Sequence, residues 1–167
     1  MNDAAKRGTA MHNYLEHYLI SLKTGLRHEN LTDVGVQAKK MALEIIKHGF
    51  EDLHEIWGCE ATIYYPSKFS GTADCIGIYE NKESLIDFKN SNKPKKDEWI
   101  DDYYLQCAAY AIAHNTVYGT DITQGVILLC TKDNIFQRFI ITGERFINYQ
   151  NQFMQRVEQF YSQRLAN

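Results

Sequence analysis

At 167 residues the chain is long enough for one domain whose core needs no disulfide or metal staple. A formal net charge of -3 leaves no global basic footprint, which excludes a protein that coats nucleic acid by bulk electrostatics and allows only a localised site. The four cysteines, Cys59, Cys75, Cys107 and Cys130, are far apart with no C-x-x-C pair, so a zinc or iron–sulfur site built on local spacing is excluded and reduced thiols are expected.

The first fifty residues read as helical. "AAKRGTAMHNYLEHYLISL" sets Met11, Tyr14, Leu15, Tyr18, Leu19 and Leu22 at helical spacing. A second helix is predicted over "VGVQAKKMALEIIKHGF", with Thr32 or Asp33 as its cap. The pattern then changes to period two. "IWGCEATIYYP", "GTADCIGIYE" and "ESLIDFK" are predicted strands, separated by turn chemistry at "PSKFSG" and "ENKE". A polar loop, "NSNKPKKDE", leads to a long helix from about Glu98 to Tyr118. Strands "QGVILLC" and "IFQRFII" follow around the turn "TKDN", and an amphipathic helix from about Glu144 to Arg164 closes the chain. This order predicts one α/β domain over residues 1–167, helical over residues 1–50 and with the sheet and remaining helices over residues 51–167, built on a mixed sheet flanked by helices. No apolar run reaches the length of a membrane span, and "MNDAAKRGTAMH" lacks the apolar centre of a signal peptide. The expectation is a soluble intracellular protein with no membrane partner.

Three charged residues fall on consecutive predicted strands: Asp74 in "GTADCIG", then Asp87 and Lys89 in "SLIDFKN". Side chains two apart on a strand share a face, so Asp87 and Lys89 point together while Ile86 and Phe88 point into the core. Neighbouring strands lie about 5 Å apart, close enough for Asp74 and Asp87 to meet if the hairpin register aligns them. Two carboxylates at that distance need a cation or a proton between them. An oxygen-rich set favours Mg²⁺ or Mn²⁺, and a nearby ammonium can orient water and offset developing negative charge. Phosphodiester hydrolysis suits such a site. His12 and His17 are five apart, off the single face required by an H-E-x-x-H zinc helix.

"GTAD" followed after a hairpin by "DFK" resembles the signature of the PD-(D/E)xK nuclease superfamily. "YLQCAAYA" sets Gln106 and Tyr110 one helical turn apart and resembles the Q-x-x-x-Y motif of its RecB-like branch. "RGTAMHNYLE" resembles that branch's R-G-T-x-x-H helix. The blocks occur in the family's order, and the resemblance runs from Arg7 to the last helix, nearest to phage-type and mitochondrial genome-maintenance single-strand exonucleases.

The resemblance implies a restriction-endonuclease-like core. It also implies that His12, Asp74 and Asp87 hold a metal together with the backbone carbonyl of Phe88, and that Lys89 is the catalytic lysine. Gln106 and Tyr110 would position the lysine or the scissile region, and Glu60 would act through water. Arg7 and Thr9 of the R-G-T helix, with Lys93, Lys95 and Lys96 of the loop after the site, are the expected DNA contacts. The acids that follow at once, Asp97, Glu98, Asp101 and Asp102, are expected to dilute that basic patch. The aromatic stripe of the last helix is expected to be core, with base stacking as the alternative for some of its rings.

The chain lacks the cysteine groups of iron–sulfur relatives, so no cluster is expected. The implied function is a Mg²⁺- or Mn²⁺-dependent exonuclease acting on single-stranded DNA from free ends in recombination, repair or replication. Its partners would be DNA and other recombination or replication proteins, in a bacterial or phage-infected cytoplasm. The alternatives are a structure-selective endonuclease or junction resolvase on the same fold, and a non-catalytic DNA-end-binding module.

Overall fold

The computed structural model describes residues 2–24 and 32–166; the stretch 25–31, within the region expected to be helical, lies outside the described residues. Two helices, α1 (Asp3–Thr24) and α2 (Asp33–Gly49), precede strands β1 (Leu53–Tyr65), β2 (Phe69–Tyr79) and β3 (Lys82–Ser91). Helix α3 (Asp101–Tyr118), strands β4 (Gln124–Thr131) and β5 (Phe136–Thr142), and helix α4 (Gly143–Leu165) complete the chain. The five strands form one sheet in the order β1-β2-β3-β4-β5. All neighbours are antiparallel except β3 and β4, whose parallel pairing needs the α3 crossover between them. The sheet is therefore mixed and flanked by helices, as expected.

Each element follows from its local chemistry. Thr32 caps α2, its hydroxyl accepting the Gly35 amide at 3.1 Å. The β2–β3 hairpin turns on Glu80 and Asn81, both at positive φ, the two-residue geometry that matches strand twist. β4 is buried at every position, which explains why "QGVILLC" reads as a continuous apolar run rather than an alternation. The predicted start of α3 is corrected. Residues Asp97–Trp99 form a separate 3₁₀ turn, and the α-helix begins at Asp101. Asp97 is drawn away by hydrogen bonds from Tyr104 and Arg145, so its turn does not continue into the helix.

Two cores lie on opposite faces of the sheet. α1 and α2 pack Met11, Leu15, Met41 and Ile45 against Ile86, Phe88, Val126 and Leu128. α3 and α4 pack Tyr104, Ala108, Ala111 and Phe146 against Ile76, Leu85, Ile127 and Leu129. β3 is thus pinned from both sides, and Ile86 and Phe88 are 0% and 2% exposed.

Tyr79, fully buried, joins three elements: its hydroxyl donates to the Gly49 carbonyl at 2.7 Å and accepts from Arg138 at 3.3 Å. Tyr79→Phe leaves that carbonyl without its donor and should cost roughly 1–3 kcal/mol. A thermal melt should record a fall of several degrees, whereas an unchanged midpoint would mean water replaces the hydroxyl.

Candidate active site

The site forms where β2 and β3 part. Their ladder ends at the Cys75–Ile86 pair, so the next residues, Asp74 and Asp87, face the same side of an opening gap. Asp74 Oδ2 accepts the Phe88 amide at 2.8 Å, a backbone donor that the ladder no longer satisfies. Within an extended strand the N–H and C=O of one residue point the same way, which turns the Phe88 carbonyl toward that gap as well.

Helix α1 enters the gap from the other face of the sheet. Gly8 permits this, because a Cβ there would lie 2.6 Å from Asn90 Oδ1, and Asn90 in turn donates to the Ala4 carbonyl at 3.0 Å. One turn after that crossing, His12 Nε2 lies 3.3 Å from Asp74 Oδ2. His12 Nδ1 lies 2.7 Å from the Gly8 carbonyl, which can only accept, so Nδ1 carries a proton and Nε2 is the atom presented to the acids.

Across the gap a second relay begins at Asp87, whose Oδ2 is 2.8 Å from Lys89 Nζ. That oxygen is buried and, despite the short ion-pair distance, has no properly angled hydrogen bond. Lys89 donates to Gln106 Oε1 at 3.3 Å, and Gln106 Nε2 donates to Tyr110 Oη at 3.3 Å. Tyr110 reaches this position only because Gly71 has no side chain; a Cβ there would lie 2.3 Å from the hydroxyl. Gly71→Ala should therefore displace the Tyr110–Gln106 brace and lower kcat about tenfold. A steady-state comparison, with circular dichroism to verify the fold, checks this.

The electrostatics follow from burial and crowding. Burial pushes the Asp87 carboxyl up, the Lys89 charge opposes it, and the neighbouring Asp74 charge and hydrogen bond push it further, to about 7. Burial would also raise Asp74, but the His12 hydrogen bond and charge, the Asp87 hydrogen bond and the Phe88 amide outweigh it and hold Asp74 low. For His12, burial lowers the pKa, yet Asp74, the Gly8 carbonyl and Asp87 together raise it to about 9. Burial likewise opposes the charge on Lys89, and the adjacent Asp87 more than restores it, so its pKa is raised. Lys89 is thus an ammonium at neutral pH. His12 and Lys89, both held toward their charged forms, flank one carboxyl held low and one pushed up.

This donor set fits a hard divalent cation. Two carboxylates, one with an oxygen lacking a hydrogen bond, stand beside an imidazole whose tautomer is already fixed. Among the described residues no three His, Cys, Asp or Glu side chains converge as a finished cage.

The remaining expected residues are placed more loosely. Glu60, on β1 at φ 46, feels the charges of the site: its carboxyl is raised by burial, then by Asp74 and Glu16, with His12 opposing. Glu16, one turn after His12 on α1, is an acidic neighbour that motif reading missed; its spacing from His12 was the available signal. Arg7 is buried and donates to Asn92 Oδ1 at 2.7 Å, tying α1 to the loop after β3. Thr9 is exposed on α1, and Lys93 and Lys96 are exposed while Lys95 is half-buried. Of the acids after these lysines, Asp97 pairs with Arg145 and Asp101 accepts from the Tyr149 hydroxyl. All four cysteines are thiols outside any disulfide, with Cys75, Cys107 and Cys130 buried. No described helix is long and apolar enough to cross a membrane.

No protein-family model matches the chain. In sequence it is 28% identical over 162 residues, 92% of its length, to mitochondrial genome maintenance exonuclease 1 of Xenopus tropicalis. It is 30% identical over 132 residues, 76% of its length, to the Homo sapiens protein of the same name. The chain spans 44% and 37% of those two relatives, less than half of either. In fold it is similar to the crystal structure of a candidate exonuclease from Eubacterium rectale, with a TM-score of 0.66 at 16% identity, covering 99% of this chain and 67% of that one.

Proposed function

From a chain that is similar to PD-(D/E)xK-type exonucleases, we propose a metal-dependent deoxyribonuclease of the RecB-like branch that digests single-stranded DNA from free ends. The observation that carries the reading is the pairing of Asp74 with Asp87 at the end of the β2–β3 ladder, with His12 on one side and Lys89 on the other. The relatives named exonucleases support a nuclease function.

Asp74, Asp87, His12 Nε2 and the Phe88 carbonyl would hold a single Mg²⁺ or Mn²⁺. When bound, such a cation supplies Lewis acidity toward the phosphate and eases deprotonation of water at neutral pH. The chain's own residues do the rest. Lys89, fixed as an ammonium by Asp87 and Gln106, orients the attacking water and offsets charge building on the phosphate. Gln106 and Tyr110 are positioning residues that keep the ammonium aimed across the gap. The Gly8 carbonyl holds the His12 ring in the tautomer that presents Nε2. Glu60 and Glu16 would contribute through water at the rim. Thr9, Lys93, Lys95 and Lys96 would take backbone phosphates, and Arg7 would act indirectly by holding their loop through Asn92.

End-labelled linear and closed-circular single strands, incubated with Mg²⁺, with Mn²⁺ and with chelator, test the reading. Linear DNA should be shortened only when metal is present, and circles should survive. Cleavage of circles would favour the endonuclease alternative, and no cleavage of either substrate would favour a DNA-end-binding module.

A further inference from the structure

Two open cavities share one wall, Tyr103, and Lys89 lines the second of them. The first, about 550 Å³, is lined by Trp99, Lys93, Lys95 and Asn90. The second, about 520 Å³, is lined by Phe69, Phe153, Tyr110, Gln106 and Arg156 together with Lys89 itself. Both are within the roughly 300–1,000 Å³ range of small-ligand sites. Tyr103 lies under the catalytic ammonium, its ring centroid 4.8 Å from Lys89 Nζ.

Trp99 has no role in either core and is 61% exposed, an unusual position for so large an aromatic surface. The Lys96 ammonium stands over its ring, at 5.2 Å. In the second cavity the rings are held rigidly. Phe69 stacks on Tyr65 at 5.3 Å and meets Phe153 edge-on at 4.9 Å. α4 is tied to the β1–β2 hairpin by the Tyr161 hydroxyl donating to the Lys68 carbonyl. Each cavity therefore pairs an aromatic face with a cation, which is the chemistry that binds unpaired nucleotides by base stacking and phosphate contact. One carboxylate, Asp102, stands in the second wall and opposes phosphate there.

We infer that these cavities are two nucleobase subsites of one single-strand track, crossing from Trp99 over Tyr103 and Lys89 to Phe69 and Phe153, with Arg156 and the 93–95 lysines taking phosphates. The track rests on the nuclease reading and gives it a physical basis for strand choice. Bases within a duplex have their faces occupied by neighbours, so only an unpaired strand can offer a base to each subsite.

The chain has two tryptophans, Trp57 and Trp99, so in a Trp57→Phe variant all indole emission comes from Trp99. In chelator, where nothing is cut, oligo(dT) should quench that emission in step with binding followed by anisotropy. Trp99→Ala should raise KM for linear single strands about tenfold while kcat stays within about twofold, and Arg156→Ala should raise KM about threefold. A KM unchanged in Trp99→Ala, or unchanged emission while anisotropy records binding, would overturn the track and leave the nuclease reading intact. If oligo(dT) does not bind and the unmodified protein cuts no linear strand with either metal, the nuclease reading fails and takes the track with it.

Discussion

Asp87→Asn should abolish digestion of linear DNA, by roughly a thousandfold or more, while making the metal-free protein more stable above pH 7. The two effects have one cause. The Asp87 carboxyl is buried beside Asp74, and its pKa is raised to about 7 from an ordinary 3.8. A carboxyl raised on folding stabilises the protein fully below about pH 4, and that contribution is lost as pH rises through about 7. His12, raised to about 9 from 6.5, adds a loss in the same direction at higher pH. Asparagine keeps the shape, can donate to Asp74 as the protonated acid does, and never acquires the charge. Melts in chelator at pH 6 and pH 9 should show the native protein losing stability with rising pH and Asp87→Asn losing less, by about 1 kcal/mol, since only the last pH unit below the raised pKa of about 7 falls in that window. Activity retained within tenfold in the variant would remove Asp87 from the mechanism.

How much of this was legible in the sequence depended on the range of the contact. The alternation in "SLIDFKN" gave the buried face of Ile86 and Phe88 and the shared face of Asp87 and Lys89, because strand periodicity is local. The hairpin placed Asp74 against Asp87 because a two-residue turn at Glu80 and Asn81 sets the register. What lay hidden was how the other elements reach that strand. Nothing local says that the β2–β3 ladder stops at Cys75 and frees the Phe88 amide for Asp74. The glycine of "RGTAMH" reads as a weak helix residue until α1 is found crossing Asn90 at van der Waals distance. Its role is spatial, since it lets His12 arrive one turn later. Trp99 is inconspicuous for a related reason. It sits in a polar loop whose turn is fixed by Asp97 contacts to Tyr104 and Arg145, the second of them 48 residues further on. Composition could find the lysines beside it, but only the fold opens a cavity between them.

Lys89→Met should lower kcat by roughly a hundredfold to a thousandfold and leave KM within a few-fold of the native value. Methionine keeps most of the length of the apolar stem and removes the charge that stands over the Tyr103 ring, so the loss is mainly electrostatic. The fold should survive, because loss of the ammonium removes the largest influence holding the Asp87 carboxyl down and lets burial keep it a neutral acid. Lys89→Arg should not rescue activity. The guanidinium is wider and fixes its donors in a plane, whereas the native ammonium must reach Asp87 at 2.8 Å and Gln106 at 3.3 Å from one nitrogen. Gln106→Ala should lower kcat about tenfold by letting the ammonium swing, and combining it with Lys89→Met should add little, since Gln106 acts through that lysine. Single-turnover rates of the four proteins, with melting midpoints as the control for folding, decide the matter. Additive losses in the double variant would mean that Gln106 touches the substrate itself, and a Lys89→Met enzyme within threefold of native would mean that the ammonium is not part of the chemistry.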